Sequence, residues 1–237
     1  MANPREGTTA RPGWLFSESN FKALIYSKTA TTLRTVQELM GEAEMDRIVK
    51  AYFEKWKFRH PRGTDFMAVL KEQLLAGRDP AFALQVYGLF EKSIFDAVVL
   101  DYAVTRITND AMPAEQGVYG NNAPSFTYRD GSGAPGFKAK VEVQRKGDWV
   151  FPVEILVTFE DGSTQVLNWS GVEGSRIFEF TGSKKVVSAQ IDPEQKIGLD
   201  IDLNNNSLTL QPATAPCWKY AAKTIFWVQN LMQTTGF

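Results

Sequence analysis

Between residues 21 and 90 the hydrophobic positions recur at three- and four-residue intervals. Phe21, Leu24, Ile25, Thr29, Leu33, Val36 and Met40 form one such stripe, and Gly41 is a natural stop, so a helix is predicted over this stretch. Met45, Ile48, Val49, Tyr52, Phe53 and Trp56 form a second stripe that runs toward Pro61. That helix is predicted to end there, because the residue before a proline is pushed out of the helical region. A third helix is predicted from Thr64, as its N-cap, through Phe66, Val69, Leu70 and Leu74 to Gly77. Asp79 offers the next N-cap, with Pro80 at the first helical position, and a fourth helix follows through Phe82, Val86, Leu89 and Phe90.

The period changes near residue 98. Val104 to Ile107 is predicted as a strand, and residues 109–136 are rich in glycine, proline and asparagine, a connection long enough to be functional or partly disordered. Phe137, Ala139, Val141 and Val143 then alternate with Lys138, Lys140, Glu142 and Gln144. Val153, Ile155, Val157 and Phe159 repeat the alternation up to the turn Asp161-Gly162. Further short strands are predicted at Val166–Trp169, Arg176–Phe180, Val186–Ile191, Ile197–Ile201 and Leu208–Leu210. This spacing predicts an antiparallel β-sandwich of about seven strands. A last helix is predicted from about Pro216 through Trp218, Ala222, Ile225, Val228 and Met232. The fold class is therefore α+β. It comprises a helical part over 1–97, a sandwich over 98–211, and a helix within 212–237 that packs back on the helical part, because Trp218, Ile225, Phe226 and Val228 need burial.

Composition narrows the functional classes. The apolar fraction of 43% and charged fraction of 22% describe a chain able to fill a core. With 26 basic and 27 acidic side chains, the balance argues against nucleic acid as a partner, which needs a basic excess on one face. The single cysteine, Cys217, allows no intrachain disulfide and reports no oxidising compartment. No signal peptide is visible, and no apolar run approaches the roughly 18 residues needed to cross a bilayer. A soluble chain is expected, and its localisation stays open.

Few residues offer chemistry of their own. Catalytic zinc takes three protein ligands, mostly His and Cys, and only His60 and Cys217 are of those types. A serine or cysteine triad would have to use His60 as its base, yet that residue follows a basic helix terminus, where a structural role fits better. Gly131-Ser-Gly133-Ala-Pro-Gly136 matches a phosphate-loop pattern by letter but precedes a strand instead of opening a helix, so it reads as a loop. Asp200-x-Asp202-x-Asn204 begins like a calcium loop, but Asn205 and Gln211 stand where glycine and the bidentate glutamate belong. That segment reads as a turn with asparagines in the left-handed conformation. Tyr26, beside Ile25, reads on physics alone as a core tyrosine with its hydroxyl satisfied.

The order of certain residues adds a second reading. Trp14, Tyr26-Ser27-Lys28, Leu33, Gly41-Glu42, Tyr52, Trp56, Phe58-Arg59-His60-Pro61 and Asp65-Phe66 together resemble the end of the catalytic domain in the gluzincin zinc aminopeptidases, the metallopeptidase family of alanyl aminopeptidase and leukotriene hydrolase, in its bacterial branch. Pro152-Val153, Phe159-x-Asp161-Gly162, Trp169-x-Gly171, Asp192-Pro193-Glu194 and Leu199-Asp200 to Ser207 are similar to the β-sandwich that follows it. The resemblance covers nearly the whole chain.

The resemblance implies that residues 1–97 are the end of a thermolysin-like catalytic domain in a parent hydrolase that takes zinc as its cofactor and a peptide as its substrate. In that family the tyrosine of Tyr-x-Lys hydrogen-bonds the oxyanion formed on the scissile carbonyl, a role carried over to Tyr26. A phenol remains protonated at neutral pH, and one well-placed donor to an oxyanion supplies roughly 3 to 4 kcal/mol. Lys28 is expected as a solvated or ion-paired neighbour. The family's H-E-x-x-H helix, its downstream glutamate ligand and its substrate-amine motif do not occur in this sequence. The resemblance therefore implies a C-terminal piece whose partners are the missing N-terminal and catalytic portions, which binds no zinc itself and is inactive alone. Its Tyr26 face is expected to be exposed or covered by a second copy, so self-association is expected. The alternative is a non-catalytic module binding protein or glycan through the 109–136 loop and the aromatic Trp149 and Trp169.

Overall fold

The computed structural model describes residues 5, 7–113, 116–119, 127–130, 136–210 and 214–235. A 3₁₀ turn, Gly13–Leu15, leads into α1 (Glu18–Asn20), which continues without a break into a π-helical segment (Phe21–Lys28) and then α2 (Thr29–Met40). Gly41 ends this rod at φ 92°, a backbone conformation glycine reaches without a side-chain penalty, and its N–H bonds Gln37 O at 2.7 Å. α3 (Glu42–Trp56), α4 (Gly63–Gly77) and α5 (Pro80–Phe95) follow. Asp79 caps α5 by accepting from the N–H groups of Ala81 and Phe82 at 3.0 and 3.1 Å, with Pro80 at the first helical position as expected.

Two helix boundaries differ from expectation. α3 stops at Trp56, ahead of Pro61, because Phe58 takes φ 61° and turns the chain away. α4 starts at Gly63, so Thr64 lies inside its first turn and is not the cap. The polar cap comes from Asp65, whose Oδ2 accepts from the Arg62 N–H at 2.7 Å.

The β-part is antiparallel. β1 (Tyr102–Met112), β4 (Gly136–Arg145) and β7 (Ser175–Gly182) form one sheet in the order β1-β4-β7. β5 (Val153–Phe159), β6 (Thr164–Trp169), β8 (Val186–Ile191) and β9 (Ser207–Thr209) form the other in the order β6-β5-β8-β9. Three strands thus face four, with β1 lying against β8 and β9. The alternation read from sequence sets the inner faces: Ala139, Val141 and Val143 of β4 and Val153, Ile155 and Val157 of β5 are buried. Gly162, at φ 82°, makes the turn from β5 to β6. β1 extends past the expected Ile107 to Met112, with a register shift between Val104 and Arg106. Beyond it, β2 (Gln116–Tyr119) and β3 (Thr127–Asp130) pair as a two-stranded ribbon within the 109–136 connection; residues 131–135, and with them most of the Gly131–Gly136 motif, lie outside the described residues. Ile197–Ile201 is not a strand. It is a turn-bounded connection with one isolated bridge, Leu100 to Asp200.

The chain is therefore an α+β protein with a C-terminal helix, α6 (Thr214–Thr235). Val36, Leu70 and Leu89 from the helices and Tyr102, Val141 and Ile155 from the sheets belong to one continuous apolar cluster, so the helical part and the sandwich share a core. α6 stands apart from it. Trp218 is 75% exposed, and Ile225, Phe226 and Val228 are exposed as well, where the sequence led to the expectation of burial against the helices. The shared core closes without them: none of these four side chains belongs to it. Among the described residues, no helix is long and apolar enough to cross a membrane.

Candidate functional site

Tyr26, Ser27 and Lys28 close the π-helical segment. A π-turn bonds residue i to i+5 and is rare, found mostly as single turns and frequently at functional sites. Its wider turn brings Phe21 and Tyr26, five residues apart, onto one side, with ring centroids 6.0 Å apart and planes at 62°. The return to α geometry is marked by Thr32, whose hydroxyl donates to Lys28 O at 2.7 Å and meets Ser93 Oγ of α5 at 2.5 Å. Buried Thr32 and Ser93 thus lock the end of the segment to α5.

Tyr26 is 64% exposed, where its place beside Ile25 led to the expectation of a core tyrosine. Phe21 beside it is also exposed, and so are Trp14 and Leu15 of the preceding turn. The turn is held close, for a Cβ built on Gly13 would touch the Phe21 ring at 3.0 Å. Phe21 and Tyr26 therefore form an apolar strip open to solvent, with Trp14 exposed on the preceding turn.

Ser27 and Lys28 look the other way, into a cleft between the π-helical segment and the sandwich. Lys28 is half-buried. Burial pulls its pKa below the usual lysine range, and the negative charge of Asp96 opposes that shift. Across the cleft the connection 197–201 is pinned by the Gly198 N–H, which donates to Thr35 Oγ1 of α2 at 3.2 Å. Nothing in the hydrophobic pattern announces this cleft, because it is made by residues 98–100 and 198–201 meeting residues 23–31. The one local signal is Gly198, where a Cβ would press on Thr31 Cγ2 at 3.2 Å.

The remaining candidates are scattered. His60 is exposed in the loop after α3. Asp200, Asp202 and Asn204 do form a turn, but none of the asparagines is left-handed. Its geometry comes from side chains instead: Asp200 Oδ1 accepts from the Asp202 N–H at 3.0 Å, and Asn205 Nδ2 donates to Asp101 Oδ1 and Asp202 Oδ2 at 3.0 and 3.1 Å. Asp200 Oδ2 also accepts from the Tyr102 N–H at 3.0 Å, and burial pushes its carboxyl above the usual range. Among the described residues, no three of His, Cys, Asp and Glu stand together in a group able to hold a metal. Trp149 and Trp169, considered for glycan recognition, are 2% and 1% exposed and present no ring to solvent. No family model matches this chain, and no curated protein matches it.

Proposed function

We propose that this chain is the C-terminal portion of a zinc aminopeptidase-like protein, in which Tyr26 donates its hydroxyl to the oxyanion formed on the scissile carbonyl of a peptide. The observation that carries the reading is the exposure of Tyr26 beside Phe21, a face that another part of a catalytic domain would cover. Its place in a π-helical segment, a backbone form associated with functional sites, is in keeping with that role. The described residues of this chain do not fit a zinc ion, so the metal is assigned to the upstream portion of the parent, and the chain alone is proposed to be inactive.

The test is Tyr26→Phe in the longer protein that carries the upstream zinc helix. Loss of one oxyanion donor should lower kcat by about 100-fold or more with the zinc content unchanged. Unchanged turnover removes Tyr26 from the mechanism. Chelator-sensitive hydrolysis of an aminoacyl-anilide by the isolated chain would overturn the wider reading.

A further inference from the structure

The cleft at the junction of the π-helical segment and the sandwich supports an assignment that does not depend on the peptidase reading. Its volume is about 230 Å³; Val98, Leu199 and Ile201 supply accessible apolar walls over buried Leu24, Leu100 and Trp149, with Ser27 and Lys28 at one side. An ammonium carries three donors, yet the described hydrogen bond of Lys28 Nζ is a single one to Asp96 O at 3.5 Å, at the long limit of such bonds. A charge that is half out of water and poorly bonded is costly; the nearby Asp96 carboxylate offsets part of that cost, and an anion in the cleft would relieve more of it. Asp200, which also lines the cleft, has an oxygen engaged by each of the Tyr102 and Asp202 N–H groups.

We infer that this cleft binds a small organic monocarboxylate, with its carboxylate on Lys28 Nζ and its apolar body against Val98, Leu199 and Ile201. The size and the single cation choose the class. The volume is below the roughly 300 Å³ at which pockets for drug-sized ligands begin, so one ring or a short chain fits. A phosphate would bring nearly two charges and three acceptor oxygens to a cleft whose walls are mostly apolar.

The 237-residue chain is titrated with 3-phenylpropionate and with 3-phenylpropionamide, which has the same shape without the charge, by calorimetry and by amide-shift mapping. The carboxylate should bind at least about ten-fold tighter than the amide, the scale of one charge-assisted hydrogen bond. The shifts should concentrate at Ser27, Thr31 and Leu100. Lys28→Met, which keeps the length of the stem, should bring the two ligands to equal affinity, whereas Lys22→Met on the exposed side of the same segment should leave the preference intact. The mapping uses the unaltered chain, so the assignment stays testable even if Lys28→Met fails to fold. Equal affinity for acid and amide, shifts centred elsewhere, or no binding at millimolar ligand overturns it.

Discussion

Tyr102 carries a hydroxyl into the apolar interior and satisfies it entirely within the protein. The hydroxyl donates to Phe151 O at 2.7 Å and accepts from the Phe151 N–H at 3.0 Å, while the ring meets Trp169 edge-on with centroids 5.3 Å apart. Burial raises the pKa of this phenol. Gly171, at φ 71°, leaves the room: a Cβ there would strike the Tyr102 hydroxyl and come within 2.9 Å of Phe151 O. Tyr102→Phe keeps the ring but strands both Phe151 backbone groups, so it should cost about 1 to 3 kcal/mol, read as a lower midpoint in urea. An unchanged midpoint would mean that water reaches those groups. None of this was legible residue by residue, since the partners are 49 positions apart and hydrophobic alternation says nothing of where a hydroxyl ends. Tyr26 shows the same limit from the other side. Its place beside Ile25 on a helix reads as core, yet it is exposed, and a stripe of apolar residues at three- and four-residue steps does not distinguish an α- from a π-turn.

At the scale of elements, the local signals worked where one residue decides a boundary. Gly41 ended α2 and Asp79-Pro80 began α5 because a positive φ and a side-chain cap are properties of single residues. The signals failed where a distant partner decides, as in 197–201, whose hydrophobic residues suit a strand but whose backbone is tied to α2 through Thr35. How α3 meets α4 is likewise set across the interface. Arg47 bonds Glu44 through Nε at 3.1 Å and Nη2 at 2.5 Å, and Nη2 also reaches Gln73 O of α4 at 2.7 Å. The hydrogen bond from Arg47 holds the carboxyl of Glu44 below the usual glutamate range. A carboxyl lowered in the folded state contributes stability that is present above the unfolded pKa and lost as pH falls through the folded one. Wild type should therefore exceed Glu44→Gln at neutral pH by a modest margin, about 0.2 to 1 kcal/mol for a pair this close to the surface. The margin should vanish in acid below the lowered pKa. Thermal melts of both chains across that range are the check, and a margin independent of pH would show that the carboxylate charge contributes nothing.

On the scale of the whole molecule, the sequence made the sandwich readable because β4 and β5 alternate strictly, and one core then joins it to the helices. The position of α6 was not readable. Apolar residues around a helix state that something must cover it, without stating what. Trp218, Phe226 and Trp227 are exposed, and none of them belongs to the shared core. Removing residues 212–237 should accordingly leave the fold nearly as stable as before, since changes away from buried features usually stay within about 0.5 kcal/mol. For a chain of this size about 1 kcal/mol corresponds to roughly 2 to 4 °C in Tm, so the shortened chain should melt within about 2 °C of the full one. A fall well beyond that would mean α6 packs on the helices in solution, as its composition led to expect. Light scattering at several concentrations separates the two apolar surfaces that could drive self-association. Association lost with residues 212–237 belongs to α6, whereas association that persists in the shortened chain and is reduced by Trp14→Ser with Phe21→Ser belongs to the strip around Tyr26. If both chains remain monomeric throughout, the expectation that these exposed surfaces bring copies together is wrong.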